Sequence, residues 1–455
     1  MSRPRISFVS VWLLLLILSA GLVAPAQQAQ PAPTAVQQAP TPQPPEKEEV
    51  TSYRLSPEKY RQAVAYSRAR YRLYFIGFVY GVVVLLVVLA GRVAPRLRDL
   101  AERASRRRFV QTLVYVPLLL LTMDVLGLPT ALYGHWLSRK YEQSIQNWGS
   151  WFWDWTKGEL IGFLIGIFLI WILYGVIRRS PRRWWLYFWL AALPILVFLL
   201  FLAPIVIQPL FFKFEPLAAK QPALVTEIEK VVARGGLEIP RERMFEMKAS
   251  EKLKALNAYV AGFGASKRVV VWDTTIQRMT TPQTLFVFGH EMGHYVLGHI
   301  LRLIIASAVV LLVFLFLGYR GMHWALAPPQ AGQARWGSRW AIRGVDDWAS
   351  LPVLMLFFAL FGFLASPLFN TYSRMLEHDA DTYGVEVTHG IVPNSGQAAA
   401  EAFQILGEIN LADPEPSAFI KVWLYSHPPL GERLVFAREY DPWSKGEPPQ
   451  FVREP

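Results

Sequence analysis

The 455-residue chain contains no cysteine. That excludes disulfides, thiolate metal sites and cysteine nucleophiles, so any metal must be held by histidine and carboxylate. Charge is also scarce: 18% of residues are charged against 53% hydrophobic, a balance that a soluble chain of this length rarely carries. What charge there is leans basic, with a formal net of +12. The basic residues gather in short loops between apolar runs, at 92–108 and 178–183, with no nucleic-acid motif beside them. They read as membrane-flanking charge, and no nucleic-acid partner is expected.

The first 26 residues carry Arg3 and Arg5, an apolar run at 9–22 and then Ala24-Pro25-Ala26, which is the pattern of a cleaved signal peptide or of a retained signal anchor. Residues 27–50 are rich in Pro and Gln and read as a disordered linker. Apolar stretches of bilayer length follow near 73–91, 110–133, 159–177 and 184–208, so 51–212 reads as a membrane domain with four spans. Two more, near 300–318 and 351–371, lie within 213–455, which otherwise reads as a second, more polar domain. Its polar part carries a helix signal at 227–234, a short β-branched strand at 267–272 and a glycine turn at Gly262 and Gly264. The five Trp between 134 and 158 read as an interfacial belt. The expected fold is mainly α, a multi-span helical bundle or chamber with a small β element.

The chemistry concentrates in His290-Glu291-Met292-Gly293-His294. On a helix the two His lie one above the other on one face and can reach one ion, while Glu291 sits beside that face as a general base for the attacking water. Catalytic zinc wants three protein ligands and an open position. His299 does not supply the third by the metzincin pattern, since Gly298 and His299 fall at four and five residues after His294 rather than at three and six. Glu377 is the better candidate. The fifth and sixth spans form a hairpin around 319–350, with His294 25 residues before that loop and Glu377 27 after it, so the two return level at about 1.5 Å per residue. Asp381, one turn further, can accept the N–H of a metal-binding His, and His378 points away as a structural residue. One zinc ion per chain is therefore expected at His290, His294 and Glu377.

These residues resemble the Ste24 group of zinc peptidases, the M48 class that includes the CAAX prenyl protease. The matching pieces, in order, are Asn257-Ala258-Tyr259-Val260, the run from Gly264 to Val271, the His-Glu-x-x-His segment with Gly298-His299, Ser373-Arg374 through Asp381, and His427-Pro428-Pro429 with Glu432-Arg433. The resemblance implies zinc on His290, His294 and Glu377, with Glu291 as base. It also implies a substrate groove lined by Asn257, Ala258, Tyr259 and Val260 and the following strand, and a supporting His427 and Arg433 that stabilise an oxyanion or contact substrate. For the fold it implies a ring of long helices around a water-filled chamber with an inward-facing site. Glu377-His378-Asp379-Ala380-Asp381 departs from the family's usual Glu-Tyr-Gln-Ala-Asp.

The expected activity is a membrane-embedded zinc metalloendopeptidase acting on peptide or protein, lipidated or membrane-bound, with CAAX-type C-terminal processing or broad quality-control proteolysis as its task. A noncatalytic scaffold or transporter is the alternative from another class. A site-2-type intramembrane protease fails because no Asp lies in 352–371 to complete its ligands. The expected setting is a bacterial cytoplasmic membrane. Positive-inside counting gives seven Arg in 92–108, four in 178–183 and four in 319–350, which puts those loops in the cytoplasm and the catalytic face outside, whereas the resemblance implies a cytosolic-facing site.

Overall fold

The computed structural model describes residues 50, 52–254, 256–262, 267–327 and 336–453. The signal segment, nearly all of the Pro/Gln-rich linker and Gly264 lie outside the described residues. Five helices open the described chain: α1 (Pro57–Ala90), α2 (Val93–Ala104), α3 (Arg108–Lys140), α4 (Trp148–Arg179) and α5 (Trp184–Leu202). A sheet of β1 (Phe214–Pro216), β2 (Met244–Met247), β3 (Ala258–Ala261) and β4 (Arg268–Trp272) follows, with α6 (Pro222–Arg234) packed beside it. The remaining principal helices are α7 (Thr281–Val296), α8 (His299–Ala325), α9 (Leu351–Thr388), α10 (Ser395–Ile409), α11 (Ala418–Leu424) and α12 (Leu430–Glu439).

Six helices among the described residues are long and apolar enough to cross a membrane: Pro57–Ala90, Arg108–Lys140, Trp148–Arg179, Trp184–Leu210, His299–Ala325 and Trp348–Thr388. They coincide with the six apolar runs but extend well beyond them, because polar turns continue the same helices past the hydrophobic windows. In α9 the polar stretch after 372 is not a separate helix. The span runs unbroken to Thr388 and carries Glu377 and Asp381 on its last turns. The Trp cluster also differs from a simple belt. Trp153 is exposed, but Trp151 is buried against Trp148, Phe152 and the ring of His135, packing α4 onto α3.

Two cores result. One joins α1 to α5 with α8 and the first half of α9, and the other joins α6, α7, α10, α12 and the end of α9 around the sheet. The sheet order is β1-β2-β4-β3, with β2 parallel to β4 and β3 antiparallel to it. This leaves β3 as an edge strand, lying beside α7. The two regions are clamped by Lys252, which donates to Asp154 at 2.7 Å, and by Lys254, 3.2 Å from Glu142.

Candidate metal centre

Helix α7 begins at a capping box in which the Gln283 side chain accepts the Thr280 N–H at 2.9 Å. Every residue from Gln283 to His290 is buried, so the helix is held on all sides and its pitch fixes where the His residues stand. It crosses the last turns of α9 at close range through glycines. A Cβ on Gly384 would lie 3.0 Å from the His290 backbone nitrogen, one on Gly289 2.8 Å from Val387, and one on Gly293 3.0 Å from the Tyr383 ring. Small residues at a crossing let helices approach more closely than larger side chains permit. Here they bring Glu377 within reach of both imidazoles and Asp381 within reach of that of His290.

The His290 Nε2 lies 3.3 Å from the His294 Nε2 and 3.3 Å from Glu377 Oε2, and the His294 Nε2 lies 3.4 Å from Glu377 Oε1. Ligands at about 2.0–2.1 Å in a tetrahedron about zinc stand roughly 3.3–3.4 Å apart. The closest approaches among the two ring nitrogens and the carboxylate, which end on different carboxylate oxygens, are of that length, and one donor atom from each residue lies within 4.8 Å of the others; this is the one group of three or more such side chains among the described residues with metal-binding spacing.

The surroundings specify how each group is presented. His290 Nδ1 stands 2.8 Å from Asp381 Oδ1, so the proton sits on Nδ1 and the Nε2 lone pair faces Glu377. Arg433 in turn grips Asp381 with two bonds, Nε to Oδ2 at 2.7 Å and a terminal nitrogen to Oδ1 at 2.6 Å, and stacks over Phe403. Burial lowers the pKa of His290, but the bonds and charges of Asp381 and Glu377 outweigh it and push it up to about 10. The cluster calls for positive charge at this point, and a divalent cation meets that demand. Burial raises Glu291 above the ordinary carboxylate range, as suits a base that must take a proton near neutrality. His427 Nε2 lies 3.2 Å from Glu377 Oε1, its Nδ1 lies 2.9 Å from Ser426 Oγ, and burial holds it below the usual imidazole range, in its neutral form.

Asn257 precedes β3. Its backbone N–H donates to Thr275 Oγ1 at 2.6 Å and its side-chain oxygen accepts the Ala258 N–H at 2.8 Å, while its buried Nδ2 finds no partner among the described residues. Ala258, Tyr259 and Val260 form β3 itself; Ala258 and Tyr259 are buried, and Tyr259 is tied through its hydroxyl to Gln208. The structure thus gathers His290, His294, Glu377, Asp381, His427 and Arg433 into one contiguous cluster. His378 is exposed and rests on Phe436. Sequence reasoning set His299 aside, yet its Nδ1 lies 3.0 Å from His294 Nδ1. The signal for it was Gly298, whose φ of +69° breaks the helix and defeats any count at helical spacing.

Comparison with known proteins gives a consistent picture. Residues 36–213 match the family model described as CAAX prenyl protease N-terminal, five membrane helices, and residues 218–441 match that of peptidase family M48. The chain is 33% identical over 385 residues to the metalloprotease YhfN of Bacillus subtilis, covering 85% of this chain and 87% of that one. It is 26% identical to CAAX prenyl protease 1 of Saccharomyces cerevisiae, covering 84% and 86%. The crystal structure of Ste24p from S. mikatae superposes with a TM-score of 0.72 over 88% of this chain and 92% of that one, at 22% identity, and so shares its fold.

Proposed function

Because this chain belongs to peptidase family M48 and is a multi-pass membrane metalloendopeptidase, we propose that it hydrolyses peptide bonds with one zinc ion held by His290, His294 and Glu377 and with Glu291 as the general base. The observation that carries this reading is the convergence of the three side chains, with closest approaches of 3.3, 3.3 and 3.4 Å and one donor atom of each within 4.8 Å of the others. Held by these three residues, zinc would supply Lewis acidity to the attacking water and the peptide carbonyl. Glu291 takes the proton from the attacking water and delivers it to the departing amide nitrogen. His427, kept neutral, offers an N–H beside Glu377 to the carbonyl oxygen as it gains charge. Arg433 acts through Asp381, holding that carboxylate so that it orients His290.

The substrate lies along β3, which among the described residues is an edge strand of the sheet and lies beside α7. An extended peptide adds there by backbone hydrogen bonds, with the Asn257 amide as a further donor. Membrane-associated polypeptides are the substrate class, and the relatives named CAAX prenyl protease favour C-terminal processing of a lipidated chain as the task. The experiment is cleavage of matched peptides, prenylated and unprenylated, by purified enzyme in lipid. Chelator-sensitive turnover of the prenylated peptide alone supports CAAX-type processing. Equal turnover of both supports broad quality-control proteolysis. No turnover of any peptide or unfolded membrane protein, with zinc bound, overturns the endopeptidase reading.

A further inference from the structure

The two histidines of the candidate metal centre are supported unequally. His290 leans on a carboxylate, with Nδ1 2.8 Å from Asp381 Oδ1. His294 instead leans on a second imidazole, with its Nδ1 3.0 Å from Nδ1 of His299. That contact exists because α7 stops at Val296 and Gly298, in the left-handed region at φ +69°, turns the chain so that the first residue of α8 comes back beneath His294. His299 is fully buried at 0% exposure, and its far nitrogen, Nε2, has no hydrogen-bond partner among the described residues. The nearest carboxylate is Asp379 on α9, 3.9 Å away and about one-third exposed at 32%.

Proton placement follows from the contacts. For His294 to direct an Nε2 lone pair towards Glu377, its Nδ1 must carry the hydrogen. That hydrogen can only be donated to His299 Nδ1 if His299 is unprotonated there. The His299 proton then sits on Nε2, on the side of Asp379. A fully buried imidazole costs the desolvation of two polar atoms that an apolar ring of the same size avoids, so the contact of its Nδ1 with His294 needs a reason beyond packing.

We propose that His299 is a positioning residue for His294, fixing its tautomer and ring plane, with Asp379 as the terminal carboxylate of an Asp379–His299–His294 chain that ends at the metal. The proposal rests on His294 being a metal ligand. The 3.9 Å separation of Asp379 from His299 is too long for a direct hydrogen bond, so Asp379 orients the His299 N–H electrostatically and contributes less than His299 itself.

The test is zinc affinity of the purified full-length protein, measured by competition with a chromophoric chelator alongside thermal unfolding. Loss of a group that orients a metal-binding histidine costs about 10- to 100-fold in affinity. His299→Phe, which keeps a ring and removes the acceptor, is expected to lose affinity in that range. His299→Asn, which keeps an acceptor near the Nδ1 position, should recover most of it, and Asp379→Asn should lose less than His299→Phe does. If the Phe variant does not fold, His299→Gln, which lacks an acceptor at the Nδ1 position, must show the same weakening. Wild-type affinity in His299→Phe, or equal losses in the Phe and Asn variants that track their unfolding temperatures, would mean that His299 is only a core residue. His294→Ala separates the two levels of the argument. If it retains zinc, the ligand assignment itself fails; if it loses zinc while His299→Phe does not, only the positioning chain fails.

Discussion

At the scale of single residues, each group around the proposed metal ligands has a separable proposed task, and substitution should separate them. Glu291→Gln removes the proposed base but leaves every proposed ligand, so it should retain zinc at wild-type stoichiometry and lose about 10² to 10⁴ in kcat; steady-state kinetics with metal analysis of the same sample checks both halves. Arg433→Met removes the partner of a carboxylate buried to 1% exposure, and breaking such a pair costs about 3–5 kcal/mol. Chemical unfolding should register that loss, and a stability within about 1 kcal/mol of wild type would contradict the buried pair. Much of this was legible in the sequence, because a helix places residues four apart on one face, and the His290/His294 and Glu377/Asp381 pairs both obey that spacing. His299 was not, since its route to His294 runs through the left-handed turn at Gly298 rather than along a helix. Nor was the grip of Arg433 on Asp381, a contact between residues 52 positions apart.

At the scale of elements, the site is a crossing of two helices with a third segment laid over it. At Gly384 the backbones of α7 and α9 lie close, with a Cβ there meeting His290 backbone at 3.0 and 3.2 Å. Backbone cannot rotate away as a side chain can, so Gly384→Ala should part the helices and weaken zinc retention in a chelator challenge while leaving the membrane spans intact. Helix α11 precedes His427, and its last carbonyls are capped from α9: Asn370 donates to Trp423 O at 2.6 Å, and Arg374 to Lys421 O and Tyr425 O at 2.9 and 2.6 Å. Arg374→Ala should therefore loosen His427 and lower kcat with zinc still bound. The hairpin arithmetic that put Glu377 level with His294 treated the chain from 294 to 319 as one helix. The break at Gly298 interrupts it, yet the level is kept, because the unbroken α9 carries the polar turns past the apolar window. Helix α11 left no periodic signature because it is only seven residues long.

At the scale of the whole molecule, ion pairs sort the connections onto two faces. Lys252 and Lys254 join the peptidase region to Asp154 and Glu142 at the α3–α4 connection. At the other end Arg98 pairs with Asp347 and Arg343 with Glu102, joining 92–108 to 319–350. The second face holds the Arg-rich loops, and from the charge rule we propose that it is cytoplasmic and that the site opens outside. The cysteine-free background makes this direct to check: an impermeant thiol reagent on intact cells should label Gln277→Cys, which is exposed on the peptidase side, and spare Arg182→Cys. The reverse pattern inverts the orientation. The central claim is the metal itself, and metal analysis of purified Glu377→Ala beside wild type tests it most directly. The account predicts about one zinc per wild-type chain and strong loss in the variant; near-stoichiometric zinc in Glu377→Ala would contradict it.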